Sequence, residues 1–581
     1  MEEAYVRQVA IGDEWTASGL ERQVMDRDSR FYGGIADMST GLAWPSHVGG
    51  APLYIATWTA ALLCPESRYY RSEMLAQRVE LAVHFQLQAQ HADGTISPGF
   101  TNMHSPPDTA FVVSGLAQTY ELMVASGWEP LQDAAALLRL FLERTAPAMR
   151  TGGCHTPNHR WVMTAALGFL YRLTGEEALR ERAEAWLAEG LDCTPDGEWT
   201  ERSNGIYNAV SNLSLYYTAE LFQLPQLLEP VRCNLRMMRF LIHPNGEAVT
   251  DYSGRQDFGT MAHMGTYFVV AALMAGKDGD AELSGIAALA GKALTHPGGL
   301  PNHTMTMLLR HPELLRQLPT PAPLPESYRV VLNADFPRAS YMQAMAAAGH
   351  GGVIRHSRMH TEFGAALARH RDGRTSATVM TESPSFFSLR HGEARLLGVR
   401  IATAFEPGIV RMQSLEELEG GYRLRASEAK GYYGPLPPEL LPDTAASACS
   451  PWYALPHHLR ELTHEQRHQP TVELTETDEG DWLLRLRCAE PELLLTQVIL
   501  LFGSECELAG EHLQEQGDGR YWLAEGAMRC QAGSDWIEMD GGALDHLGAT
   551  QEQAVPRHCQ AVTINLLTPY DHRIKIRLSR G

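Results

Sequence analysis

The stretch LPTPAPLPE, residues 318–326, places proline at Pro319, Pro321, Pro323 and Pro325. Proline lacks an amide hydrogen and has a fixed φ, so this spacing excludes helix interior and favours extended polyproline geometry. It is the sharpest boundary in the chain, because the pattern of apolar residues changes across it.

Upstream, the helical period dominates. DTAFVVSGLAQTYELM (108–123), HRWVMTAALGFLYRL (159–173), VSNLSLYYTAELF (210–222) and MGTYFVVAALM (264–274) are apolar on most sides and read as buried helices. EEALRERAEAWLAEGL (176–191) and LLEPVRCNLRMMRFLI (227–242) are amphipathic. YRSEMLAQRVELAVHFQLQ (70–88) sets Met74, Val79, Leu81, Val83 and Phe85 near one stripe. Turn signals recur at Gly94, Gly152, Gly197, Gly246 and Gly298, at intervals of 58, 45, 49 and 52 residues. That interval suits a helical hairpin plus a long loop, and with APLYIATWTAALL (51–63) it supplies five or six pairs. Fully apolar helices alternating with amphipathic ones close naturally into a two-layer toroid over residues 1–318.

Downstream, YRVVLN, TVELTE, WLLRLRC, TQVILLFG, AVTINLLT and RIKIRLS read as strands, and residues 327–581 as a large antiparallel β-sandwich. The expected class is therefore α+β multidomain: an (α/α)6-type toroid, the linker 319–326, and the sandwich.

A formal charge of −21 argues against nucleic acid or an anionic membrane as partner. The first twenty residues lack a secretory signal, and no run approaches the roughly 20 apolar residues of a membrane span. Nine cysteines without a CxxC pair fit reduced thiols in the cytoplasm. An extensive sheet domain often pairs, which allows for a homodimer.

Polar residues gather in the loops before the buried helices, in one phase of the repeat. FTNMHSPPDTAF (100–111) carries Asn102, His104 and Asp108; GGCHTPNHRW (152–161) carries His155, Asn158, His159, Arg160 and Trp161. TPDGEWTERSNGIYNAVSN (194–212) carries Trp199, Glu201, Arg202, Asn204, Tyr207 and Asn208; VTDYSGRQDFGTMAH (249–263) carries Asp251, Tyr252, Arg255, Gln256, Asp257 and His263. A common phase places them around one cleft at one end of the toroid, as a glycan-cleaving enzyme requires. Each has a structural alternative: Asp108 as a first-turn helix residue, Asn158 as a cap, Tyr207 as packing, His356 and His360 as one face of a strand. Cys154, His155 and His159 lack a fourth ligand and regular zinc spacing, so no metal is expected. No phosphate loop, dinucleotide fingerprint or nucleophile elbow is present, and no cofactor is expected. Tyr432, Tyr433, Trp452, His457 and His458 read either as loops bordering the cleft or as a subunit interface.

NHRWVMTAALGFLYRL and PDGEWTERSNGIYNAVSN resemble the Asn-rich inner-helix start and the "DG…E…Y" loop of the heparinase II/III-like polysaccharide lyases, whose order of toroid and sandwich also matches. The chain departs from that pattern at Asn208, where His or Trp commonly follows the tyrosine. The resemblance implies β-elimination at a uronic acid, with Tyr207 as base and acid. A neighbouring cation would lower the Tyr207 pKa. Asn158, His159 and Arg255 are the expected clamp for the sugar carboxylate, and His360 the alternative base. Asn102, His104, Arg160, Trp161, Asn204, Asn208, Tyr252 and His263 are expected to bind a uronic-acid oligosaccharide. Two alternatives stay open: a uronidase using a carboxylate pair drawn from Asp108, Glu201, Asp251 and Asp257, and a non-catalytic glycan-binding protein.

Overall fold

The structure, a computed structural model, describes residues 1–348, 359–441, 452–549 and 559–579. It divides into two compact units, Met1–Tyr328 with Asp335–Gly364, and Arg329–Ala334 with Ala365–Gly581. Residues 319–326 are neither helix nor strand.

In the first unit, α1 (Glu2–Arg22), α3 (Glu73–Gln88), α5 (Gln132–Thr151), α7 (Glu177–Leu187), α9 (Leu228–Met238) and α11 (Ala281–Lys292) form an outer layer. The inner layer is α2 (Ala51–Leu63), α4 (Pro106–Ser126), α6 (Pro157–Thr174), α8 (Tyr207–Phe222), α10 (Phe268–Asp278) and α12 (Thr304–Arg310). Each inner helix packs on the next, and α12 packs back on α2, so the ring closes. α1 covers the seam: it packs on α2, α11 and α12, and Gln8 Nε2 donates to the His296 carbonyl at 3.2 Å. The unit is an (α/α)6 toroid.

The layers follow from composition. α2 has no charged residue and buries every position from 51 to 62, whereas α5 buries Leu138, Phe141, Leu142, Thr145 and Met149 on one face. In α3 the buried stripe is Leu75, Val79, Ala82, Val83 and Gln86; Met74, expected on it, stands one position off and is 49% exposed. Boundaries follow local chemistry. Ser105 caps α4 ahead of Pro106 and Pro107, and Gly127 and Gly175 end α4 and α6 in left-handed conformation. The starts of α4, α6 and α8 lie at one end of the ring: Phe111 meets His159, and Glu201, just ahead of α8, bonds Asn158.

Residues 335–364, read from sequence as the start of the strands, belong to the helical unit and include a helix at Arg338–Ala347. His360 therefore sits in irregular backbone and not on a strand, and His356 lies outside the described residues.

Among the described residues the second unit is an antiparallel β-sandwich of an eight-stranded and a ten-stranded sheet, with Arg520–Leu523 running parallel to Cys559–Leu567. Alternation drives it: in Trp482–Cys488 the residues Trp482, Leu484, Leu486 and Cys488 are buried and the three between are not. Their faces meet Phe387, Leu389, Val399 and Ile401 of the other sheet in one core. A separate two-stranded ribbon, Glu428–Tyr433 with Leu462–His468, exposes Tyr432 and Tyr433, while Trp452 packs on His457. No helix among the described residues is long and apolar enough to cross a membrane.

Candidate active site

The loop before α8 begins with a tight turn in which Gly197 N–H donates to the Thr194 carbonyl at 2.9 Å. Gly197 has φ +106°, and a Cβ there would lie 2.4 Å from the Cys233 backbone, so only glycine fits. From this turn the chain delivers Glu201, Arg202, Ser203 and Asn204 into a buried layer.

Glu201 is the organising side chain. The N-cap of α6, Thr156, makes no side-chain capping bond. Glu201 supplies the acceptor instead: its Oε2 takes the Asn158 backbone N–H at 3.1 Å and the Asn158 side-chain amide at 2.6 Å. Its other oxygen pairs with Arg255. A carboxylate can bond only the NH₂ end of the amide, so Asn158 is oriented with Oδ1 away from Glu201, buried and without a hydrogen-bond partner among the described residues.

The Arg255 guanidinium carbon in turn lies 4.2 Å from the centroid of the Tyr207 ring. Tyr207 opens α8, and its backbone N–H donates to Ser203 Oγ at 3.1 Å. Asp257 fixes this turn, accepting from Ser203 Oγ at 2.9 Å, Gly205 N–H at 2.8 Å and Ser253 Oγ at 2.5 Å. Burial raises the Tyr207 phenol above its ordinary pKa; a hydrogen bond with Gln256 opposes this, and Asp257 and Asp108 reinforce it. This corrects the expectation of a lowered value: desolvation and two carboxylates outweigh the Gln256 hydrogen bond.

A second group adjoins. Asp108 accepts from Asn102 Nδ2 at 2.9 Å and from Ser105 Oγ, and its Oδ1 lies 3.6 Å from His47 Nδ1. His47 stacks on Phe111, whose ring meets His159 edge-on at 6.2 Å; His155 meets His159 at 5.0 Å. Burial lowers the His159 pKa to about 3, with His155, Arg255 and His47 adding to the effect and Asp108 opposing it. His159 is thus a neutral imidazole within electrostatic reach of Arg255 and Asp108. The loops before α2, α4, α6, α8 and α10 all contribute to this assembly.

His360 joins from residues 359–364. A Cβ on Gly254 would lie 3.1 Å from His360 Nδ1 and 2.8 Å from Glu362 Oε1, so both side chains rest on the residue preceding Arg255.

Other expected residues stand elsewhere. Arg160 is engaged by Asp192 at 2.8 Å and Glu189 at 3.2 Å. Trp161 and Trp199 are buried, with indole N–H groups bonded to Asp192 and Asn212, so neither offers a face to a sugar. Tyr252 is buried beneath Arg202 and accepts from Asn204, which Asn208 bonds in turn; these three brace the loop. Asp251 is buried beside His243. His104 is held by Asp93 and stacks on His91, and His263 is exposed on a short strand. Among the described residues no group of three or more His, Cys, Asp or Glu could hold a metal ion. Sequence reading missed His47, although PSHVGG (45–50) stands before α2 in the same phase as the other loops.

This architecture recurs in solved structures. A heparinase III matches with a TM-score of 0.52 at 12% identity, over 98% of this chain and 84% of the other. The Streptomyces coelicolor chondroitin AC lyase bound to chondroitin sulphate matches with 0.54 at 12%, over 99% and 80%. A Paenibacillus xanthan lyase matches with 0.53 at 8%, over 100% of this chain and 57% of its own length. The likeness is one of fold. No family model matches the sequence, and no curated protein does.

Proposed function

We propose that this chain cleaves glycosidic bonds at uronic acid residues of a glycan by β-elimination. The observation that carries the reading is the Arg255–Tyr207 stack, tied through Glu201 to Asn158. The neighbours in fold named as heparinase III, chondroitin AC lyase and xanthan lyase support it.

Elimination breaks the C–H bond beside the carboxylate and the bond to the departing glycosidic oxygen, and forms a carbon–carbon double bond between them. The proton leaves readily only when the carboxylate charge is balanced, and the departing oxygen needs a proton. Arg255 and neutral His159 supply cationic and hydrogen-bonding partners for the carboxylate; Asn158 is buried and acts through Glu201, which pairs with Arg255. Tyr207, kept protonated by burial, donates to the departing oxygen, and His360 takes the proton beside the carboxylate.

A hydrolase on this site needs two available carboxyl groups. Glu201, Asp257 and Asp108 each already accept two or more hydrogen bonds or ion pairs, which ranks that chemistry second. Incubation with glucuronides tests the choice. Absorbance of a 4,5-unsaturated sugar in the near ultraviolet supports elimination, new reducing ends without absorbance indicate hydrolysis, and saturable binding without product indicates a glycan-binding protein. In its finer form the proposal places a homodimer in the cytoplasm acting on short oligosaccharides, which fractionation and sedimentation test.

A further inference from the structure

Residues 361–364 meet the α7–α8 loop across more than 150 positions of chain, and two buried side chains hold them there. Glu198 accepts the Gly364 N–H at 2.8 Å through Oε1 and faces Arg202 Nε at 3.3 Å through Oε2. Arg202 donates from Nη1 to the Glu362 carbonyl at 3.0 Å and lays its guanidinium over the Tyr252 ring, 4.6 Å from the centroid. The Arg202 and Glu198 side chains are 0% and 1% exposed.

Burying such a pair is unfavourable unless hydrogen bonds replace the lost water, and apolar residues of similar volume fill a core at least as well. What the pair supplies is direction. Its two bonds to the Glu362 carbonyl and the Gly364 amide fix the place of one short segment. That segment begins with His360, whose carbonyl accepts the Phe363 N–H at 3.2 Å. His360 and Glu362 rest against Gly254, whose own N–H donates to the Glu201 carbonyl at 3.2 Å. The chain of contacts runs from Glu198 and Arg202, through residues 360–364, to the turn that carries Arg255. Arg202 has φ +50°, so its backbone is held in a conformation that a non-glycine residue adopts only under constraint from its surroundings.

We infer that Glu198 and Arg202 are positioning residues that set His360 in register with the Arg255–Tyr207 pair. The kinetic consequence rests on the elimination reading; the geometric one does not.

The test uses the full chain with isotope-labelled histidine, the His360 ring signal being assigned by its loss in His360→Ala. Glu198→Gln preserves side-chain volume and one acceptor oxygen, and Arg202→Lys preserves the charge. Each variant shifts the His360 ring signal. Each lowers kcat about tenfold with KM changed less than about twofold, and adds less than about twofold when combined with His360→Ala. An unmoved ring signal in both variants, or losses that multiply fully with that of His360→Ala, overturns the inference. Should one variant fail to fold, the other carries both measurements. If the wild-type protein forms no unsaturated product from any uronide, the elimination reading fails, and the ring signal still decides the positioning.

Discussion

The guanidinium carbon of Arg255 lies 4.2 Å from the centroid of the Tyr207 ring, while the same guanidinium is paired with Glu201. The cation is therefore shared between an aromatic face and a carboxylate, and through Glu201, which also bonds Asn158, it ties α8 and the loop before α10 to α6.

Tyr207→Phe removes the proton donor and leaves the ring under Arg255. Formation of unsaturated product falls by about 10²- to 10⁴-fold, the usual span for a general acid, with the thermal unfolding midpoint unchanged within about 2 °C. Turnover near wild type in this variant removes Tyr207 from the mechanism.

Glu201→Gln removes the charge that caps α6 and holds Arg255. The variant loses about 1.5–3 kcal/mol in urea unfolding, as expected for hydrogen bonds to a buried charged group, and its turnover falls with it. A loss below about 0.5 kcal/mol contradicts the organising role given to this carboxylate.

Burial holds His159 at about 3, His47 at about 4 and His303 at about 3. An unfolded histidine titrates near 6.5, so below that pH the unfolded chain binds more protons than the folded one. Stability is complete above about 6.5 and declines as pH falls toward 3–4, by up to about 1.4 kcal/mol per unit for each imidazole, with Asp108 beside His47 acting the other way. Urea midpoints measured between about pH 7 and 5 follow this decline, and His159→Gln makes it shallower. An identical slope in that variant contradicts the assignment.

Gly254→Ala sets a methyl group 2.7 Å from the Glu201 carbonyl and about as close to Glu362 and His360. Overpacking of this kind destabilises by about 1–3 kcal/mol, and turnover drops as His360 is displaced. Retention of full turnover argues that His360 does not act at this place.

Arg160→Ala leaves unsaturated product formation within about threefold of wild type, because Asp192 and Glu189 already hold the guanidinium. The loss is one of stability, about 1 kcal/mol, read by denaturant unfolding. A drop in turnover of about 100-fold would return Arg160 to the substrate.

The helices were legible because segments such as residues 51–63 carry no charge and others carry a stripe, and the strands because residues 482–488 alternate strictly. Tertiary context wrote the rest. Trp161 and Tyr252 stand in polar stretches and read as sugar platforms, yet Arg160 and Arg202 lie over their rings, and those contacts are not visible in local pattern. Residues 335–364 return to the helical unit because Arg202 and Glu198 bind their backbone, which no periodicity announces. Asn158, Tyr207 and Arg255 were singled out by loop phase, the first two also by the resemblance to the heparinase-like pattern, and the structure brings them together. His47 obeyed the same rule and was missed, although Gly49 and Gly50 follow it closely.

The seam at α1 bears on how the protein is made. Gln8 finds its partner carbonyl at His296, nearly the whole length of the helical unit away. During synthesis α1 meets α2 early, but its contacts with α11 and α12 form only after nearly three hundred further residues have emerged. Circle closure is thus a late, long-range event, and a nascent chain stalled before α11 presents an open ring, its inner helices unclosed, that chaperones are suited to hold.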